Sequence, residues 1–322
     1  MNVPSDIEDS RAAFAARFHS LGPSQDCGTN VFNPLVLGDR IGSSIESPHS
    51  RPSRQTHSRR VPNLVVPGLL GDAVRAVVAP MAFAEKILEM NGYAVDVLWV
   101  NGRQGCDKNA SALYPQVMQA AQQYGSSVRL IGYSKGCTDI MHLLANHADC
   151  HEAVDSVVSL AGVVHGTPLA ERTATWLDRL VQYLPLPGVE FGDGRALDDL
   201  APDFRRQWLT DHPLPESIRY ASVIAAPKPD RISRLLKSSY RRLARISADN
   251  DSQVIATDSL LPGGELLALV NADHWAIALP IGRALPFLTR WLIDKNDFPR
   301  ARLLQAIVDH MDGVPGLPVV SD

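Results

Sequence analysis

Between Val61 and Val270, short and continuously apolar runs alternate with stretches long enough to form a helix. That alternation restricts the fold more than any other property of the chain. The runs are "VPNLVVPG", "YAVDVLWV", "SSVRLIGYS", "VDSVVSLAG", "RYASVIAA" and "GELLALVNADHW". A strand with water on one face alternates polar and apolar residues, and these do not, so both of their faces need cover. Segments such as "SALYPQVMQAAQQYG", "GCTDIMHLLANH", "IGRALPFLTRWLID" and "ARLLQAIVDHMDG" supply amphipathic helices to cover them. The expected fold is α/β, a mostly parallel, doubly wound sheet with helices on both faces.

The rhythm breaks in two places. After Gly162 it gives way to about 167–217, apolar and helical in parts without a clear strand, the right size for a helical cap inserted between two strands. Before Val61, an amphipathic piece ("IEDSRAAFAARFHSLG") is followed by Ser43–Arg60, rich in Ser, Pro, Arg and His. Residues 1–60 therefore read as an arm or linker, partly disordered, with 61–322 as the main domain. If the arm is a lid, its deletion should alter activity without unfolding the protein.

A net charge of -4 excludes a general nucleic-acid binder, which needs a cationic footprint. No apolar stretch approaches a membrane span, and "MNVPSDIEDS" lacks the basic start of a secretory signal, so the expected location is cytoplasmic, signal-less export aside. Cys27, Cys106, Cys137 and Cys150 form no CxxC pair and read as free thiols. The "NHADCH" cluster, with His147, Cys150 and His151, reads as solvated surface rather than a metal site.

One strand runs straight into a helix through Gly132-Tyr133-Ser134-Lys135-Gly136. Small flanking residues permit a sharp turn that lifts the serine above the strand end and aims the helix N-terminus at it, which marks Ser134 as a candidate nucleophile. A serine hydroxyl needs a base, and that base needs an acid. Chain order on such a sheet is Ser, acid, His. His274, late in the chain on a loop after an apolar run, is the candidate base. "RISADNDSQVIATDSLLPG" offers Asp249, Asp251 and Asp258 as the acid. Asp251 is preferred because Val254, three residues on, can anchor its loop; Asp249 is the fallback.

Together these residues resemble the α/β-hydrolase superfamily, and within it the bacterial triacylglycerol lipases and related serine carboxylesterases. "GYSKG" is similar to the nucleophile elbow, "DNDSQV" to the acid loop and "ADHW" to the histidine loop. "VVPGLLGD", "LAGVVHGTPLAE" and "FRRQWL" add to the likeness, which covers roughly Val61 to Trp291. The chain departs from the lipases in having Pro67-Gly68 where they usually have His-Gly, and a lysine at position 135 where an uncharged residue is common.

The resemblance implies acyl transfer from a hydrophobic ester through an acyl-enzyme on Ser134, with His274 and Asp251 behind it and no cofactor or metal. It implies an oxyanion hole from the backbone N–H groups of Leu69 and Lys135. Trp176 in the cap and Trp275 beside His274 are candidate substrate-binding residues. A helix expected over 230–246, cationic around an apolar stripe, offers a weak contact with an anionic membrane or interface. The alternatives are an acyl-thioesterase or acyltransferase on the same fold, or a non-catalytic binding module. Oligomeric state is left open.

Overall fold

The computed structural model describes residues 4–22, 33–36, 60–69, 88–171, 192–284 and 291–314. Its centre is a parallel sheet built from β1 (Glu8–Asp9), β2 (Asn63–Val66), β3 (Val95–Val97), β4 (Val128–Tyr133), β5 (Val154–Leu160), β6 (Arg219–Ala225) and β7 (Glu265–Val270). The spatial order is β1-β7-β6-β5-β4-β2-β3.

Alternate strand residues feed two separate cores. Leu64, Val66, Leu130 and Val157 pack against α2 (Cys106–Tyr124) and α3 (Lys135–Asn146), through Leu113, Val117, Ile140 and Leu143. Val65, Ile131, Val158 and Val223 face the other way, toward α1 (Arg11–Ser20) and α7 (Arg300–Met311). Two-sided burial explains why the strand sequences read as unbroken apolar runs.

The chain leaves β2 toward β3 on one side, then returns to lay β4 on the other. In open parallel sheets the crevice beyond the carboxyl ends of such a pair is where ligands bind. Gly68 follows β2 and Ser134 follows β4, so both flank that crevice.

Two expectations need correction. Residues 4–22 are part of the body: β1 pairs with β7, and Phe14 and Phe18 are fully buried in the core beneath α7. Leu35 also bridges to Val270. A two-residue strand carries no periodicity to read, and its partner lies at the far end of the chain. Positions 43–59 of the expected linker are outside the described residues.

The helix expected over 230–246 is broken into 3-10 turns at Pro229–Arg231 and Arg234–Leu236, followed by α5 (Lys237–Leu243). The amides that should continue a helix are taken by tertiary acceptors. Ser233 N–H donates to Asp273 Oδ2 at 2.9 Å and Arg234 N–H to Asp294 Oδ1 at 3.0 Å. Leu235 N–H donates to the Leu292 carbonyl at 3.0 Å.

Of the expected cap, positions 172–191 are outside the described residues. Its later half is stitched to the body. Asp199 Oδ2 accepts the Cys106 N–H at 2.7 Å, and α4 (Pro202–Asp211) sends buried Arg205 and Trp208 against α3. No described helix is long and apolar enough to cross a membrane.

Candidate active site

The serine turn forms because two neighbours have no side chain. A Cβ on Gly136 would lie 2.1 Å from the Val66 carbonyl oxygen, so only glycine lets the start of α3 ride on the end of β2. A Cβ on Gly68 would lie 2.6 Å from the Ser134 Cβ, so the loop after β2 passes directly over the serine. Ser134 itself sits at φ 55°, ψ -127°, a region side chains avoid. The other described non-glycine residues with positive φ are Ala161, just after β5, and Ser252, in the acid loop. Strain of this kind costs about 1–3 kcal/mol per residue and persists where surrounding structure holds it.

The three sequence candidates meet here. Ser134 Oγ is 2.8 Å from His274 Nε2, and His274 Nδ1 is 2.6 Å from Asp251 Oδ2. All three are buried, with 8 %, 4 % and 1 % exposure, so little water competes for these bonds. A carboxylate only accepts, so Nδ1 carries the proton and Nε2 presents its lone pair to the serine hydroxyl. The other Asp251 oxygen accepts the amides of Gln253 and Val254 at 2.8 and 2.7 Å. Buried Val254 anchors that loop, which is the role its spacing suggests.

Behind the imidazole stands a support that spacing alone does not reveal. Tyr133 donates its hydroxyl to the His274 carbonyl at 2.7 Å, and burial holds that phenol well above its usual range, reinforced by Asp251 and Asp273. Asp273, also buried, accepts the amides of Ser233, Trp275 and Ala276. Burial pushes its carboxyl pKa up against those donors. The signal for Asp273 is only an acid preceding the histidine in "ADHW".

Lys135 is fully buried and bonds Asp139 Oδ1 at 2.6 Å, one turn along α3, while Asn109 donates to the other Asp139 oxygen at 2.9 Å. Burial works against its charge, but Asp139 prevails and the ammonium pKa lies above its ordinary value. The side chain thus points away from solvent. The Lys135 N–H is the first amide of α3, and neither it nor the Leu69 N–H donates a hydrogen bond to a described residue.

Trp275 packs against Ile293 and against Ile281 of α6 (Ile281–Ala284), and Trp176 lies outside the described residues. A second aspartate–histidine pair is built differently. Arg205 Nη1 donates to His142 Nε2 at 2.9 Å, and His142 Nδ1 reaches Asp107 at 2.8 Å. With an arginine where a nucleophile would stand, burial holds His142 neutral, down to about 4.

Cys106, Cys137 and Cys150 are buried free thiols, and Cys27 is outside the described residues. His147 stacks on Tyr114 at 4.4 Å, and His151 Nε2 bonds the Leu144 carbonyl at 2.7 Å. Among the described residues no group of His, Cys, Asp or Glu is arranged to hold a metal.

Asp258, the third candidate acid, is instead a scaffold residue whose carbonyl accepts the amides of Val164 and His165. Burial raises its carboxyl from 3.8 to about 6, against the Thr257 hydroxyl and Arg206. The folded state therefore binds more protons there than the unfolded chain, so this contribution to stability is present at low pH. It declines as pH rises from 3.8 through about 6. Asp258→Asn is expected to raise the Tm at neutral pH and to flatten the pH profile across that window. Thermal melts of both proteins check this, and parallel profiles would contradict it.

No protein-family model matches the chain, and no curated protein matches it. Solved structures do. A carboxyl esterase of metagenomic origin shares 31 % identity over 97 % of this chain and 95 % of its own, at a TM-score of 0.84. The mature form of a Bacillus licheniformis lipase superposes at a TM-score of 0.55 over 74 % of this chain and 95 % of its own, with 20 % identity. The second likeness bears on the fold alone.

Proposed function

Because the chain belongs to the α/β-hydrolases, alongside carboxyl esterases and lipases, we propose that it is a serine ester hydrolase acting through Ser134, His274 and Asp251. The observation that carries this reading is the unbroken run of short hydrogen bonds from Ser134 Oγ through the imidazole to Asp251. Nothing in folding alone calls for a strained serine aligned on the acceptor nitrogen of a buried histidine.

In the first step Ser134 Oγ attacks the ester carbonyl carbon while its proton passes to His274 Nε2. Asp251 keeps the imidazole in the required tautomer and stabilises the imidazolium. The oxygen that gains charge lies toward the amides of Leu69 and Lys135, each donor lowering the barrier by about 3 kcal/mol in sites of this kind. The C–O bond to the alcohol then breaks, His274 returns the proton to the leaving oxygen, and the acyl group stays on Ser134. Water then attacks the acyl carbon as His274 takes its proton, the bond from the acyl carbon to Ser134 Oγ breaks, His274 returns that proton to Oγ, and the carboxylic acid is released.

The Lys135–Asp139 pair fits this scheme. Removing one partner of a buried pair leaves an uncompensated charge, so the pair locks the first turn of α3 where the oxyanion amide must stand. The ammonium itself does no chemistry.

A fluorophosphonate probe is expected to add a single phosphonyl group on Ser134, located by mass spectrometry of a digest. p-Nitrophenyl esters of increasing acyl length are expected to turn over, and the profile separates esterase from lipase preference. A folded protein that takes no label and turns over no ester would reduce the turn to architecture.

A further inference from the structure

Arg231 to Ile246 holds six cations and no acid, in a chain whose net charge is -4. The burial pattern gives this stretch a water-facing stripe of Arg234, Leu235, Ser238, Arg241 and Arg245, with Leu236 and Leu243 turned into the protein. The stripe adjoins a concentration of exposed apolar surface. Leu235 is 49 % exposed, Trp291 55 % and Leu292 41 %, and Ile246 at the end of the segment is 64 % exposed. Leu235 and Leu292 are tied by a 3.0 Å backbone bond, and Arg234 Nη1 reaches the Trp291 carbonyl at 3.5 Å. Asp294 lies between Arg234 and Lys295, at 3.7 and 3.8 Å, which leaves the balance of the patch positive.

Cations alone suit any polyanion, and apolar side chains alone suit any hydrophobic partner. An apolar patch with an arginine stripe beside it fits a surface that offers anionic headgroups above acyl chains. The patch also has a direct relation to the site. Ser233 N–H bonds Asp273 in the histidine loop at 2.9 Å, and Ser239 Oγ accepts from Gln253 Nε2 in the acid loop at 3.4 Å.

We infer that residues 231–246, with Trp291 and Leu292, dock the protein on an anionic lipid–water interface beside its ester pool. The inference rests on the ester-hydrolase reading only for what is delivered there. The backbone breaks that divide this segment give it a function: they seat it against both loops while turning the arginine stripe outward.

The test uses the full chain with vesicles of phosphatidylcholine alone or mixed with phosphatidylglycerol. The protein is expected to sediment with the mixed vesicles and much less with the neutral ones. Binding should weaken as salt rises, because exposed charges are screened beyond about 8 Å at physiological ionic strength. Arg241→Gln with Arg245→Gln is expected to weaken partition roughly 30-fold. Leu235→Ser with Leu292→Ser should weaken it as well, and both pairs should leave p-nitrophenyl acetate turnover unchanged.

Equal partition onto neutral and anionic vesicles, or variants that bind as the wild type does, would overturn the inference. So would binding to heparin or single-stranded RNA that is insensitive to the leucine substitutions and unaccompanied by vesicle binding, which would assign the patch to a polyanion. A wild type that binds mixed vesicles but hydrolyses no ester removes the proposed activity and leaves the docking surface. One that hydrolyses acetate ester and ignores vesicles does the reverse.

Discussion

Ser134→Ala is expected to lower kcat on a p-nitrophenyl ester by roughly 10^6-fold, and His274→Ala added to it should lower kcat no further. In the proposed mechanism the two side chains act as one device. In the proposed acylation step the imidazole takes its proton from the hydroxyl 2.8 Å away, so once that hydroxyl is gone the base has no nucleophile to activate. Asp251→Asn keeps the outline of the site but no longer secures the tautomer, for an expected loss of about 10^4.

The backbone adds a second readout. Alanine leaves the strained φ of 55° in place, whereas glycine tolerates it. Ser134→Gly should therefore be as inactive as the alanine variant yet more stable, by a net of about 1 kcal/mol in urea denaturation. Independent, multiplicative losses for the serine and histidine variants would argue against a shared proton path. A glycine variant no more stable than the alanine one would remove the claim that function maintains strain there.

Deleting residues 1–22 is expected to abolish folding rather than to uncover the site. Phe14 and Phe18 are both fully buried, and truncating a buried phenylalanine typically costs about 3–5 kcal/mol. Their sum already approaches the roughly 5–15 kcal/mol that holds a domain together. The deletion also strips the edge bonds from Glu8 N–H to the Gly264 carbonyl at 3.0 Å and from Ser10 N–H to the Leu266 carbonyl at 3.1 Å. It takes away the ring over which the Arg302 guanidinium lies at 4.1 Å. Because the deletion leaves little protein to measure, Phe18→Leu is the graded companion and should lower the urea midpoint without changing turnover. A truncated chain with an unchanged midpoint would return the segment to the status of a loose arm.

The legible parts of the molecule are those whose cause is local. Each buried strand announces itself because both of its faces need apolar residues, and the serine turn because its glycines are demanded within a few positions. The loop that holds Asp251 is legible through Val254, whose amide and buried side chain both anchor it. What escaped depends on distant partners. Nothing in "RISRLL" says that three of its amides will be claimed by Asp273, Asp294 and Leu292, so the apolar stripe reads as one helix. Nothing near Phe18 says that it will lie under α7. Asp273 looks like an ordinary loop acid until the amides it gathers are seen.

The pairing of α1 with α7 also bears on the order of assembly. Phe18 and Arg302, joined by a 2.6 Å bond from the guanidinium to the backbone carbonyl, are 284 residues apart. At about 5–20 residues per second, the first helix leaves the ribosome roughly 15–60 s before its seat exists. Its two phenylalanines spend that interval exposed, within reach of holdase chaperones. Because Asp251 and His274 also come late, Ser134 emerges long before the two side chains it is to be aligned with.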